Sequence, residues 1–246
     1  MMMNKAQARE MVWKSLRQVA LPDSRFHYDF NSFIPDFEYS ARATERLRGV
    51  PAYQQAEVIF ITPDNCLDEL RACALRDGKR VLVTTYGIRR GMVELRPEQV
   101  PAGQEMFAAS LDGMEKIGSH LTLPELKTRY PKIDLLVTGA SVVTRSGVRF
   151  GKGHGFFDLE WAVLYELGVV DVRTPIAAFV HDCQLVDVDL DVSAFDTICD
   201  YVVTPTQVIA IPNAHKPTQG ILWDQLKPGM IEDISWLQEM QMLKHG

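Results

Sequence analysis

Five short stretches of this chain are almost continuously apolar: residues 57–62 (EVIFIT), 80–85 (RVLVTT), 133–139 (IDLLVTG), 174–180 (TPIAAFV) and 200–205 (DYVVTP). A strand with one face in water alternates polar and apolar residues. A strand that does not alternate must be covered on both faces, which is the condition of strands inside a mainly parallel sheet. Helical patterns separate them. One covers 67–76, after the punctuation Pro63-Asp64-Asn65, and stops at Gly78; another covers 159–167 and stops at Gly168. Strands alternating with helices predict a layered α/β domain.

Outside this frame, residues 5–20 form an amphipathic pattern in which Ala8, Met11, Val12, Leu16 and Val19 share one face, with Pro22 as the stop. A shorter helix is expected over 39–48 and a tail helix over 230–244. The stretch 95–131 lacks a clear period and reads as a loop with a helical insert, a lid facing the substrate. Repeats and interdomain linkers are absent from the sequence, so one domain over 1–246 is the simplest organisation.

The 246 residues are 46% hydrophobic, enough for a sizeable core without disulfides. The formal net charge of −6 argues against a nucleic-acid binder, which needs clustered Lys and Arg. A local basic cluster, Arg145, Arg149 and Lys152, leaves a small anion as a candidate ligand. Cys66, Cys73, Cys183 and Cys199 form no C-x-x-C pair and have no accompanying His pair, so they read as free thiols in a reducing compartment. The start MMMNKAQARE turns polar at once, and no run of about 20 apolar residues follows, so we expect a cytoplasmic protein with no membrane span.

The segment that carries chemistry is GVRFGKGHGFFD, 147–158. Gly151, Gly153 and Gly155 alternate, which frees the backbone for positive φ and close approach to a ligand. Successive amides beside a helix start make a concave anion site, and Arg149 and Lys152 add positive charge. Asp158 follows, a carboxylate suited to the Mg²⁺ that accompanies a triphosphate. The spacing is neither G-x-x-x-x-G-K-[ST] nor G-x-G-x-x-G, and no H-R-D or D-F-G segment exists. The competing reading is a plain connecting turn.

Read with its neighbours, RFGKGHGFFD resembles the signature R-[LF]-G-x-G-x-G-[YF]-[YF]-D of the 5-formyltetrahydrofolate cyclo-ligase (methenyltetrahydrofolate synthetase) family. IPDFEYSARATERL, TPDNCLDELRACALRDGKRVLV and GKGHGFFDLEWAVL are closest to its divergent branch, the methenyltetrahydrofolate synthetase domain-containing proteins. The resemblance implies a three-layer sandwich of the NagB/RpiA/CoA-transferase type. It implies ATP- and Mg-dependent conversion of 5-formyltetrahydrofolate to 5,10-methenyltetrahydrofolate, a ligase of one-carbon metabolism whose partners are ATP and a reduced folate. It places ATP on Lys5, Arg9, Arg149, Gly151, Lys152, Gly153, His154, Gly155 and Phe156. Lys5, Arg149 and Lys152 would carry catalysis, Phe157 and Gln184 would face the substrate, and Asp158 and Asp196 would hold the metal. Lys5 and Arg9, four apart on a helix, share a face, although an exposed charged face explains that spacing too. His154 is either a phosphate contact or a variable loop position. Phe156 and Phe157 either stack on a pterin or pack into the core. Two departures stand out: phenylalanines replace the usual loop tyrosines, and Cys66 to Glu69 occupy the place of the E-x-x-T segment near the folate.

Overall fold

The computed structural model describes residues 2–245. At its centre is an eight-stranded sheet. In chain order the strands are β1 Val58–Ile61, β2 Arg80–Thr84, β3 Met92–Leu95, β4 Ser119–Leu121, β5 Leu135–Gly139, β6 Ile176–Phe179, β7 Tyr201–Val203 and β8 Val208–Ala210. Side by side they run β8-β7-β6-β5-β1-β2-β3-β4. The inner five, from β7 to β2, are parallel. Antiparallel strands close both edges, β8 on one side and β3 with β4 on the other. The inner five correspond to the five apolar runs.

Their lack of alternation has the expected cause. Phe60, Leu82, Leu136, Ala178 and Val202 enter one core, whereas Ile59, Ile61, Val81, Val137, Phe179 and Val203 enter the other. Helices α2 (Ser40–Arg48) and α3 (Asp68–Arg76) cover the second core through Ala43, Leu47, Leu70 and Ala74. Helices α4 (Phe156–Leu167) and α5 (Ser235–His245) cover the first through Trp161, Val163, Leu164, Trp236 and Leu237. The result is a mixed α/β fold of three layers. Helix α1 (Lys5–Leu16) sits apart, on a smaller core shared with the strand Val142–Thr144 and with Phe150. No helix among the described residues is long and apolar enough to cross a membrane.

Three expectations need correction. The first helix ends at Leu16, well before Pro22, and Met11 is 43% exposed rather than on the buried face. The stretch 95–131 is not a loop with one helical insert: it contains the helices Glu105–Ala109, Leu111–Ile117 and Leu123–Arg129 and the edge strand β4, and only Leu111 of it lines the cavity described below. Its elements are too short to establish a period, and Leu123–Arg129 is fixed by a capping box between Thr122 and Glu125. The tail helix is two helices, Met230–Asp233 and α5, broken where Ile234 adopts an extended conformation and buries its side chain.

One buried cation sets the loop after β1. Arg71, on α3, is wholly buried. Its guanidinium donates to the carbonyl oxygens of Thr62 (2.5 Å), Asp64 (3.3 Å) and Ala109 (2.8 Å) and pairs with Asp68. Arg71→Met leaves these buried acceptors unpaired. It should cost about 3 kcal/mol or more in urea unfolding; a loss below about 1 kcal/mol would show that the loop is held otherwise.

Candidate phosphate and substrate site

In an open parallel sheet, a crevice opens where neighbouring strands send their connections in opposite directions. Here β1 leads towards β2, and β5, on its other side, leads towards β6. The carboxyl ends of β1 and β5 open into a cavity of about 500 Å³, within the range of small-molecule sites. Its walls come from the N-terminus of α1, the loops after β1 and β2, the glycine loop and the segment before β7.

The glycine loop is closed by a clasp. Arg149 lies on the short strand Arg149–Phe150, which pairs antiparallel with Val142–Thr144. Asp158 lies in the first turn of α4. Both are buried, 3% and 9% exposed, and Arg149 Nη2 meets Asp158 Oδ1 at 2.6 Å. The same oxygen accepts from the Thr197 amide (3.0 Å) and hydroxyl (2.8 Å). The neighbour of Thr197, Asp196, takes Lys5 Nζ at 2.5 Å and the Ser193 amide at 2.7 Å. α1, the glycine loop and the segment before β7 are therefore locked together by two ion pairs. Between the ends of the clasp the backbone needs glycine: Gly153 has φ 102° and Gly155 φ 73°. A Cβ on Gly153 would also stand 3.2 Å from Arg9 Nη1. Gly155 caps α4 without any side-chain bond to its first turn, leaving the helix start open to an anion.

Two cations in this wall have no carboxylate partner among the described residues, Arg9 and Lys152. The Lys152 ammonium donates to the Ser32 carbonyl at 3.2 Å and lies over the Tyr86 ring at 5.1 Å; burial pulls its pKa below the usual lysine value. Arg149 Nε is buried with no partner. An orphaned buried guanidinium N–H, two unpaired cations and an open helix start are complementary to an oxyanion.

The wall against which Lys152 lies is aromatic. Phe26 stacks on both Phe33 (5.9 Å) and Tyr86 (5.7 Å), and Ile34, Ile88 and Leu111 complete the wall. Glu160, two residues beyond Asp158, reaches this part of the cavity. It is 3% exposed and shares a hydrogen bond of 2.5 Å with the Thr84 hydroxyl. Burial, reinforced by the charge of Asp64, pushes its pKa up to about 8.

Twelve of the thirteen expected site residues line this one cavity: Lys5, Arg9, Arg149, Gly151, Lys152, Gly153, His154, Gly155, Phe156, Phe157, Asp158 and Asp196. His154 stacks on Phe156 at 5.4 Å. Phe157 is mostly core, with the Arg149 guanidinium 4.3 Å above its ring. Gln184 is the exception. It is 1% exposed, its amide donates to Ala140 O at 2.6 Å, and its carbonyl oxygen accepts from the His181 amide at 2.7 Å. It staples a turn and does not line the cavity. Cys66, standing for the missing acidic segment, is also buried away from it. Sequence reasoning missed Asp64, Glu160, Phe26 and Tyr86. The helical period of α4 offered a hint for Glu160, a charged residue among the apolar side chains of a buried helix; the other three sit in irregular loops with no pattern.

No group of three or more His, Cys, Asp or Glu side chains suited to a metal occurs among the described residues. Asp158 and Asp196 each use one oxygen on the protein and leave the other unbonded. That donor set suits a hard divalent cation that shares its remaining positions with ligand oxygens and water.

Fold and crevice together define a layered α/β protein with a glycine-loop cradle at the switch point of a parallel sheet. A model of the 5-formyltetrahydrofolate cyclo-ligase family matches residues 1–205, and the chain belongs to that family. It is 29% identical over 241 residues to the human methenyltetrahydrofolate synthase domain-containing protein, covering 97% of this chain and 61% of the relative. The mouse protein of the same name is 30% identical over 241 residues, with 97% and 63% covered. The chain thus spans about three fifths of the length of these curated relatives. The NMR structure of Aquifex aeolicus 5,10-methenyltetrahydrofolate synthetase shares the fold, with a TM-score of 0.52 at 16% identity over 85% of this chain and 93% of that one.

The raised pKa of Glu160 has a consequence for stability. An unfolded glutamate loses its proton near 4.5, whereas folded Glu160 keeps it to about 8. Between these values the folded state holds the extra proton, so stability falls as pH rises, by an amount on the order of a few kcal/mol. Thermal unfolding of wild type from pH 5 to 8.5 should show this loss, and Glu160→Gln should flatten it. Parallel curves for the two proteins would contradict it.

Proposed function

We propose that the protein converts 5-formyltetrahydrofolate to 5,10-methenyltetrahydrofolate with ATP and Mg²⁺. The observation that carries this reading is a single cavity in which an oxyanion cradle meets an aromatic wall. The formyl oxygen takes the terminal phosphoryl group of ATP, and ADP leaves. The neighbouring amine of the same substrate then attacks the activated carbon, forming the C–N bond, and phosphate departs with the formyl oxygen and takes up the proton that the amine loses. Such a reaction needs alignment and charge stabilisation more than a strong base.

The chain's residues divide that work. Arg9, Lys152 and the free edge of Arg149 neutralise the phosphates, and the amides around Gly153 to Phe157 cradle them. Lys5 is held by Asp196 at the rim, within reach of the same oxygens. Asp158 and Asp196 would hold Mg²⁺, which neutralises phosphate charge when bound. The stacked Phe26 and Tyr86 and the loop phenylalanines offer flat apolar surface to a pterin ring.

Purified protein with ATP, Mg²⁺ and 5-formyltetrahydrofolate should develop the absorbance of the methenyl product only when ATP is present. Lys152→Ala should lower kcat/KM about 100-fold, the usual effect of losing one donor at a developing charge. Gly153→Ala should weaken ATP binding about tenfold, through backbone strain of roughly 1–2 kcal/mol and displacement of Arg9. A second reading, an ATP-dependent enzyme for another formyl or amide compound, draws on the altered 66–69 segment. ADP release with such a compound, without methenyl formation from the folate, would identify it and overturn the first.

A further inference from the structure

We propose that Asp64 and Glu160 form a two-carboxyl reader for the donor edge of a flat nitrogen heterocycle, a ring N–H beside an exocyclic amine as in a 2-aminopyrimidinone. This rests on the folate reading above and deepens it.

Glu160 has no basic partner within ion-pair distance among the described residues, and its single hydrogen bond is to Thr84. Its second oxygen has no protein partner, although the residue is almost fully buried and lines the cavity. A carboxyl so placed is costly, and packing at this helix position requires no polar atom. Asp64 is built into the floor beside it. Its Oδ2 accepts from the Thr62 hydroxyl (2.6 Å) and the Gly139 amide (3.0 Å), while Oδ1 is unpartnered. That approach depends on Gly139: a Cβ there would lie 2.9 Å from Ile34 Cγ2, 3.0 Å from Asp64 Oδ2 and 3.1 Å from Cys66 Sγ. Arg71 fixes the backbone on both sides of Pro63. With its proton on the oxygen that meets Thr84, Glu160 offers its other oxygen as a carbonyl acceptor, beside the free Oδ1 of Asp64.

Lys152, on the glycine loop, lines the same cavity as both carboxyls. The lining at the ends of β1, β2 and β5 adds only neutral polar groups, the hydroxyls of Thr62, Thr84, Thr85 and Thr138 and the Asn65 amide, whose N–H is taken by Asp23. A ligand edge of oxygens would meet acceptors there, whereas an edge of two N–H donors is complementary. The stacked Phe26 and Tyr86 nearby favour a planar ring. Residues 66–69 do not contribute: Cys66 and Leu67 are buried outside the cavity.

The test uses the full chain and two tetrahydropterins lacking the glutamate tail, one with the 2-amino group and one with hydrogen in its place. Calorimetry should show wild type preferring the amino compound by about tenfold or more, because a site with buried acceptors rejects a ligand that cannot pair them. Asp64→Asn, which turns an acceptor into a donor, and Glu160→Met, which removes one, should each shrink the preference to within about threefold. ATP affinity should stay within about twofold, a split that general loosening of the structure would not give. Equal or absent binding of both probes to wild type, or an undiminished preference in a folded variant, would overturn the reader. Folate turnover without the preference would sink the reader and leave the reaction standing; the preference without turnover would do the reverse.

Discussion

The ion pair between Arg149 and Asp158 holds the site together. It joins the two ends of a loop whose glycines have little conformational preference of their own. Such a pair is expensive to bury, and it persists only when the remaining donors and acceptors are met. Asp158 is satisfied by the amide and hydroxyl of Thr197, which carries Asp196 and, through it, Lys5 and α1 into the same assembly. Arg149 keeps a buried Nε–H with no partner. The clasp thus has one Asp158 oxygen fully engaged and the other free, while Arg149 keeps a buried donor unmet, an asymmetry that suits an anionic ligand with its cation.

That asymmetry sorts the charges of the cavity. Two cations, Arg149 and Lys5, are already neutralised by aspartates and serve mainly to hold elements in place. Two others, Arg9 and Lys152, have no carboxylate partner among the described residues and face the cavity. A second pair of acids, Asp64 and Glu160, lines the same cavity. The proposed phosphates and a ring with N–H groups would each find complementary groups in it. The fold supplies this arrangement because β1 and β5 diverge at the point where Asp64 bonds to Gly139.

Much of this was legible in the sequence, for identifiable reasons. The inner strands betray themselves because burial on both faces removes alternation, and the glycine loop does so because its backbone demands a rare residue pattern. The edge strands β3, β4 and β8 escaped notice: with three or four residues each, they carry too few positions to set a period. The site was readable where it is contiguous, from Arg149 to Asp158. It was unreadable where it is assembled from single residues of irregular loops, such as Phe26, Asp64 and Tyr86. Gln184 misled for a related reason. An amide that staples a turn and one that binds a ligand look alike in sequence, and only its buried bonds to Ala140 and His181 tell them apart.

The central claim is that the amides and cations of the glycine loop bind the terminal phosphate of a nucleotide. A crystal structure of the protein with a non-hydrolysable ATP analogue and Mg²⁺ tests it most directly. The account predicts the γ-phosphate within hydrogen-bonding distance of the amides between Gly153 and Phe157, with Lys152 and Arg9 on its oxygens and the Arg149–Asp158 pair intact. A nucleotide bound elsewhere, or a loop that opens to solvent with its cations turned away, would contradict it.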